Sequence, residues 1–198
     1  SLVNRAIEDT IRLQDKAAEA TLTLADAEAN FFLAAGTRSL AERERMSKRM
    51  GKESAALGIP AKELYKSGAA AFSMASGLPE EMAWGGQHMA GQLFPHDTAA
   101  RASFGSRVPM LTMAKAGLDP KVAAGALLKM SGETAVQTAA QAIEHGGPAM
   151  AVGMGQGFTA AESGAGYAAF TKSLGDTSGN IAATAWKSFA RQLTSVLP

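Results

Sequence analysis

Three stretches decide how this chain is read: LGIPAKEL at 57–64, SGLPEEMA at 76–83 and AGLDPKVA at 116–123. Each runs from glycine through an apolar residue to Pro or Asp-Pro, then into a helix-forming run. Glycine tolerates the left-handed backbone that ends many helices. The apolar residue can fold back onto the last turn. Proline suits the first turn of the next helix, where its missing N–H costs nothing, and Asp119 before Pro120 can cap the orphan N–H groups. Each stretch therefore predicts a helix stop, a tight turn and a helix start.

Composition agrees. Alanine supplies 42 of the 198 residues and β-branched runs are rare, so helix propensity is high throughout and an all-α protein is predicted. Only 6% of residues are aromatic, so large apolar anchors are scarce. The formal net charge of +1 gives no general pull toward nucleic acid or anionic lipid. The chain has no cysteine, which excludes a disulfide framework and a cysteine-based zinc site. No run of 18 apolar residues occurs, so no ordinary transmembrane helix is expected. The charged, amphipathic start SLVNRAIEDT does not resemble a signal peptide. A start at Ser1 rather than Met suggests a piece excised from a longer protein.

Charge is uneven along the chain. Residues 1–66 hold 21 of the 37 charged side chains, whereas residues 67–198 hold 18 of the 21 glycines. Two regimes are predicted: a charged helical arm or hairpin over 1–57 and an Ala/Gly-rich helical body over 58–198. In the arm, Ile7, Ile11, Ala18, Leu22, Ala25, Ala29 and Phe32 fall at helical spacing. They predict an amphipathic helix over 3–34, about 48 Å long, broken at Gly36 and Thr37. The run 39–58 is helical but dense in charge. Glu42, Arg43, Glu44, Arg45, Lys48, Arg49 and Lys52 read as a solvated, ion-paired helix. A basic patch for nucleic acid is the sharper alternative, diluted by the glutamates.

In the body, breaks near 58, 77, 96 and 117 lie about 20 residues apart, a pitch that any bundle of medium helices with short connections would give. The pitch alone leaves open whether a true repeat exists. The expected apolar faces are Leu64, Gly68, Phe72 and Ala75; Met82, Gly86, Met89 and Leu93; and Val122, Ala126, Leu127 and Met130. Pro109 is expected to divide the segment 98–116. A further helix is predicted near 133–145, stopped by HGGPAM at 145–150. The fold of 146–158 stays open. TAAE at 159–162 matches a capping box. The helix after it carries Tyr167, Phe170 and Leu174 and ends at Gly175. The last helix, 177–197, shows Ile181, Ala185, Phe189, Leu193 and Val196.

Chemical signatures are sparse. His88, His96 and His145 show no metal-ligand spacing. Asp97 beside His96 reads as a helix cap, and His145 after Glu144 as a helix-end residue. Glu80 and Glu81 sit in a first helical turn, where acids are favoured; a glycosidase would need a second placed carboxylate and a sugar cleft. GMGQGF at 153–158 lacks the lysine and Ser/Thr of a phosphate loop. The methionines are expected to fill core gaps, with an adaptable binding groove as the alternative. No catalytic, cofactor-binding or metal-binding residue is assigned, and no cofactor is expected.

The combination of a charged amphipathic front with ALGIPAKEL, ASGLPEEMA and KAGLDPKVAAGALLKMSGETA resembles helical segments of phage tail tape measure proteins, over about residues 50–150. That resemblance implies a non-catalytic structural or interaction domain of a phage or prophage tail protein, partnered with other tail proteins or with itself through helix packing. Location in the virion tail, and in the bacterial cytoplasm during assembly, would follow. No nucleic acid partner and no stable membrane insertion are expected. A helical peptidoglycan hydrolase domain and a bacterial helical adaptor module are the alternatives.

Overall fold

The computed structural model describes residues 23–37, 39–74, 79–134 and 136–196. Among these the protein is all-helical, with nine α-helices and no strand. The first, α1, covers residues 23–34. It is followed by α2 (Leu40–Leu57), α3 (Ala61–Met74), α4 (Glu80–Leu93), α5 (Thr98–Ala114), α6 (Pro120–Glu133), α7 (Ala139–Gly155), α8 (Ala160–Leu174) and α9 (Asn180–Val196).

From α2 onward the helices form four consecutive hairpins: α2–α3, α4–α5, α6–α7 and α8–α9. Their first helices begin at residues 40, 80, 120 and 160. The second helices stack in a row, α3 on α5, α5 on α7 and α7 on α9. Of the first helices, α6 packs on α8 and α2 touches α4. The architecture is that of a short helical solenoid, in which each unit contacts its neighbours along one axis.

The punctuation that sets this interval is local. Glycines fall at 36, 77, 117 and 157, three or four residues ahead of each hairpin. Gly36, Gly117 and Gly157 have φ of 65°, 79° and 99°, where a side chain would be strained; Gly77 lies outside the described residues. A cap then starts each helix. Ser39 and Thr159 form capping boxes with Glu42 and Glu162, and the Asp119 carboxylate accepts from the Lys121 N–H at 2.7 Å. Leu118 and Phe158, the apolar residues after Gly117 and Gly157, pack against the core. Gly58 and Gly175 are left-handed helix stops of α2 and α8, with φ of 65° and 60°. Unlike the GLDP stretch between α5 and α6, the GIP stretch turns the chain inside a hairpin, between α2 and α3.

Two cores share α4. The front core joins Phe31, Phe32, Met46, Met50, Leu64, Tyr65, Phe72 and Trp84. Phe31 lies at its centre, with ring centroids 5.2 Å from Phe72, 5.4 Å from Tyr65 and 5.9 Å from Trp84. The rear core runs through α4 to α9 and is built from Ala, Leu, Met and Ile around Phe104, Tyr167 and Trp186.

Several expectations are corrected. α5 runs unbroken through Pro109, and α7 runs unbroken through Gly146, Gly147 and Pro148 to Gly155. A mid-helix proline costs about 3 kcal/mol, but here packing outweighs it: Pro109 is buried under Gly86, and Gly147 lies under the Arg107 side chain. The helix expected near 133–145 is instead two elements. α6 ends at Glu133, and α7 starts at Ala139 behind the Thr138–Gln141 capping box.

The apolar faces also shift. On α1, Ala25 and Ala29 are exposed while Ala27, Phe31 and Phe32 are buried; Ile7, Ile11, Ala18 and Leu22 lie outside the described residues, as does most of the long helix expected over 3–34. On α4 the buried face is Ala83, Trp84, Gly86, Gln87, Ala90 and Gly91, with Leu93 exposed. On α9 the buried residues are Ala182, Ala183, Trp186 and Ala190, and Ile181 and Phe189 are exposed. Val122 of α6 is exposed as well. In these helices the inner face is made of Ala and Gly around Trp84 on α4, Leu127 and Met130 on α6 and Trp186 on α9, because helices that approach closely bury small residues at the contact.

Candidate functional site

The densest concentration of functional groups lies where α2 crosses the start of α4. Arg45, Arg49 and Glu53 recur every four residues, so they share one face of α2. α4 meets them with Glu80, Glu81, Trp84 and His88. The Arg45 guanidinium donates to both Glu80 oxygens at 3.0 and 2.7 Å. Arg49 donates to both Glu81 oxygens at 2.6 and 2.8 Å, and its guanidinium carbon lies 4.7 Å from the Trp84 ring centroid. Trp84 Nε1–H donates to Glu80 Oε1 at 3.0 Å. At the far end, Glu53 Oε2 lies 2.6 Å from His88 Nδ1, and Gln92 Nε2 lies 3.1 Å from His88 Nε2.

These contacts form a ladder that clamps two helices whose backbones barely approach each other. The hydrogen bonds between them raise the pKa of Arg45 and Arg49 and lower that of Glu81. Glu81 is thus an ionised partner of Arg49, and Glu80 is held by Arg45 and Trp84, a poor arrangement for a general acid. The rungs face solvent, so each contributes little to stability. Beside the ladder, Lys48 and Lys52 join Arg45, Arg49 and Glu53 in lining a shallow basic recess of about 480 Å³.

On the other side of Glu81 the surface turns apolar. A cleft of about 210 Å³ is lined by Met82, Gly85, Gly86 and Met89 of α4, Val108, Pro109 and Thr112 of α5, and Pro120 at the start of α6. It opens where the row of first helices is interrupted, since α4 and α6 hardly meet. Gly86 forms part of its wall because an added Cβ would lie 2.6 Å from the Gly105 carbonyl oxygen and 2.8 Å from Pro109 Cδ. The only titratable side chain at its rim is Glu81, already held by Arg49. The cleft has the chemistry to receive an apolar side chain.

The remaining residues singled out by sequence are dispersed. His96 is exposed in the α4–α5 turn, and His145 is half-buried on α7 beside Gly179. Among the described residues no three His, Asp or Glu side chains converge as metal ligands. Asp97 caps α5 by accepting from the Ala100 N–H at 2.9 Å. The glycine-dense stretch 153–158 is the end of α7 and its turn, where Gly153 backs onto Ser163 and Trp186. Met46, Met50, Met130, Met150 and Met154 are core residues, whereas Met82 and Met89 line the cleft.

Two polar constellations had no sequence signal. Arg101 is buried on α5 and donates to the Phe94 and Pro95 carbonyls at 3.0 and 3.1 Å, to Thr98 Oγ1 at 3.2 Å and to Ser67 Oγ at 3.3 Å. Gln87 joins through Ser67 at 2.8 Å, and Thr98 donates to Glu63 at 2.8 Å. Burial lowers the Arg101 pKa, with Glu63 and Asp97 opposing. The network ties α3, α4 and the turn at 94–97 to α5.

Asp176 is the second, in the α8–α9 turn. Its carboxylate accepts from the Ala182 N–H at 2.8 Å, the Ser178 N–H at 3.0 Å and the Ser178 hydroxyl at 2.7 Å. Burial alone would raise its pKa, but these hydrogen bonds prevail and pull it down to about 2. The Asp176 carbonyl accepts from Gln137, which in turn accepts from Tyr167. The only sequence trace was an Asp-x-Ser triplet between two glycines, which generic turn chemistry explains equally well. Both networks bind helices and turns of the chain to one another. No protein-family model, curated protein or solved structure matches this chain closely enough to assign it to a family.

Proposed function

We propose that this chain is a structural interaction module that works through helix packing, of the kind found in phage or prophage tail tape measure proteins. The observation that carries the reading is the row of four hairpins begun every 40 residues. Such a row presents extended helical surfaces to partners while each unit is held by its neighbours. Of the stretches behind the resemblance to tape measure proteins, GLDP at 117–120 leads into the hairpin that begins at Pro120. The engagement of Glu80 and Glu81 by arginines argues against the alternative of a peptidoglycan hydrolase built on that carboxylate pair.

In this reading the chain acts in the tail, or in the bacterial cytoplasm during tail assembly, and its partners are other tail proteins. The test is the gene neighbourhood, where tail tube and tail assembly genes are expected, and then co-expression of the tagged chain with that tube protein and purification of assembled tails. Retention of the chain in tails supports the reading. Release of dye-labelled peptidoglycan, abolished by Glu80→Gln or Glu81→Gln, overturns it in favour of a hydrolase.

A further inference from the structure

Each of the first three hairpins has a successor on its far side: α3 is followed by α5, α5 by α7, and α7 by α9. Among the described residues, nothing follows the fourth. Its inner side is defined by packing. On α8, Gly164 lies against Met130 and the Ala126 carbonyl of α6. On α9, Trp186 Nε1–H donates to the Ala149 carbonyl of α7 at 3.2 Å.

The outer side carries apolar stripes among exposed polar residues such as Glu162, Lys172, Ser188 and Gln192. On α9, Ile181 and Phe189 are 63% and 43% exposed, with half-buried Ala185 between them at four-residue spacing. On α8, Ala161, Ala165 and Ala169 are all exposed, also four residues apart. Phe170 bridges the two helices, with its ring centroid 5.6 Å from that of Phe189. This surface has the same make-up as the buried contacts within the row, small residues on one helix and an aromatic on the other.

The opposite end of the row is unlike it. There, among the described residues, α1 packs on α2 and α3 through Phe31 and Phe32, and Arg43 lies over the Phe32 ring, so that end does not repeat the α8–α9 face. The α8–α9 end is instead complementary to itself. Exposed Glu162 and Lys172 lie five residues to either side of Tyr167, the middle of α8. Two α8 helices crossing antiparallel over that midpoint bring Ala165 against Ala169 of the second copy. The same arrangement brings Glu162 toward Lys172 of the second copy.

We propose that the α8–α9 end of the row is a dimerisation surface, which takes a second copy of this chain tail to tail across a twofold axis. The axis closes the assembly at two copies, as an isologous interface does, and hides an apolar patch that is costly to leave in water. This interface stands independently of the tail-protein reading, and loss of either leaves the other intact.

The experiment is sedimentation equilibrium of the whole chain up to about 100 µM, where a micromolar Kd is saturated. A dimer is expected, with the Ile181→Glu/Phe189→Glu variant sedimenting as a monomer at unchanged helical content. A second measurement is independent of that variant's folding. Because the chain has no cysteine, oxidised Ala165→Cys/Ala169→Cys should run as a covalent dimer. Leu33→Cys/Leu40→Cys, at positions 77% and 74% exposed, should not. Three outcomes overturn the proposal: a wild-type monomer at the highest concentration, growth beyond two copies, or crosslinking no greater than in the control pair.

Discussion

The glycines of this chain divide by what a methyl group would meet, and that division predicts opposite signs for one chemical change. Gly86 and Gly125 both lie inside helices, α4 and α6. In either, Gly→Ala gains about 0.8–1 kcal/mol of helix propensity. At Gly125 an added Cβ meets nothing within 4 Å, so the gain stands. At Gly86 the Cβ would sit 2.6 Å from a backbone oxygen, that of Gly105, and 2.8 Å from the buried Pro109 ring. Neither can swing aside, so α4 must lift from α5. Overpacking costs about 1–3 kcal/mol, and a rigid obstacle places Gly86→Ala at the upper end, for a net loss of about 2 kcal/mol.

With about 2–4 °C of Tm per kcal/mol for a chain of this length, Gly86→Ala should melt about 4–8 °C below the wild type. Gly125→Ala should melt about 2–4 °C above it. Thermal unfolding followed by circular dichroism at 222 nm reads both. Shifts of the same sign would refute the claim that close backbone approach of α4 to α5, and not turn chemistry, fixes the glycine at 86.

Other expectations concern charge. The Asp176 pKa is held down at about 2 against an ordinary value of about 3.9. Its contribution is therefore fully present above pH 4 and is lost as pH falls toward 2. Asp176→Asn should cost about 2 kcal/mol at pH 7, and urea titrations of the two proteins should converge near pH 2. Arg49→Met removes an exposed ion pair and the cation contact over Trp84, worth about 1 kcal/mol together. The gap from wild type should narrow in roughly 1 M salt, and an undiminished gap would mean that packing dominates the rung. Arg101→Met keeps the bulk but strands the Phe94 and Pro95 carbonyls, and should cost about 3 kcal/mol by chemical denaturation. Arg101→Lys should recover only part of it, because an ammonium cannot reproduce the fork of donors.

Helix content and most helix ends were legible, because caps and stops are local. Asp97, Asp119, Thr159, Gly58 and Gly175 act as their spacing to neighbouring residues implies. The 40-residue interval was hidden although its marks are in the sequence. The GIP stretch at 58 looks like the GLP and GLDP stretches but turns the chain inside a hairpin, and counting it together with the turn near 96 halved the apparent pitch. The true fourth mark, Gly157-Phe158-Thr159, carries no proline and lay within a glycine-dense run.

Pro109 and Pro148 misled for a different reason. Their penalty is a property of an isolated helix, and tertiary packing overrides it. The inner faces of α4 and α9 were misjudged because large side chains were ranked above Ala and Gly. The α2–α4 ladder and the Arg101 network join residues about 20 to 35 positions apart, a separation at which helical periodicity carries no information.

The two tryptophans show how so slender a composition holds four hairpins together. Each fills the space left by small residues at a junction that alanine alone could not close. Trp84 is 1% exposed on the shared helix α4, packs at 5.4 Å on Phe72, and is clamped at its edges by Glu80 and Arg49. Trp186 lies over Gly166 so closely that no Cβ could be placed there, and it meets Phe158 at 5.6 Å. One anchor seals the charged front to the body, and the other seals the last hairpin to the row. Between them Phe104, Leu111, Leu127, Ile143 and Tyr167 fill the rear core among closely packed Ala, Gly and Met. The cleft between α4 and α6 falls in the interval between the two anchors, where α4 is held by α5 but by little of α6.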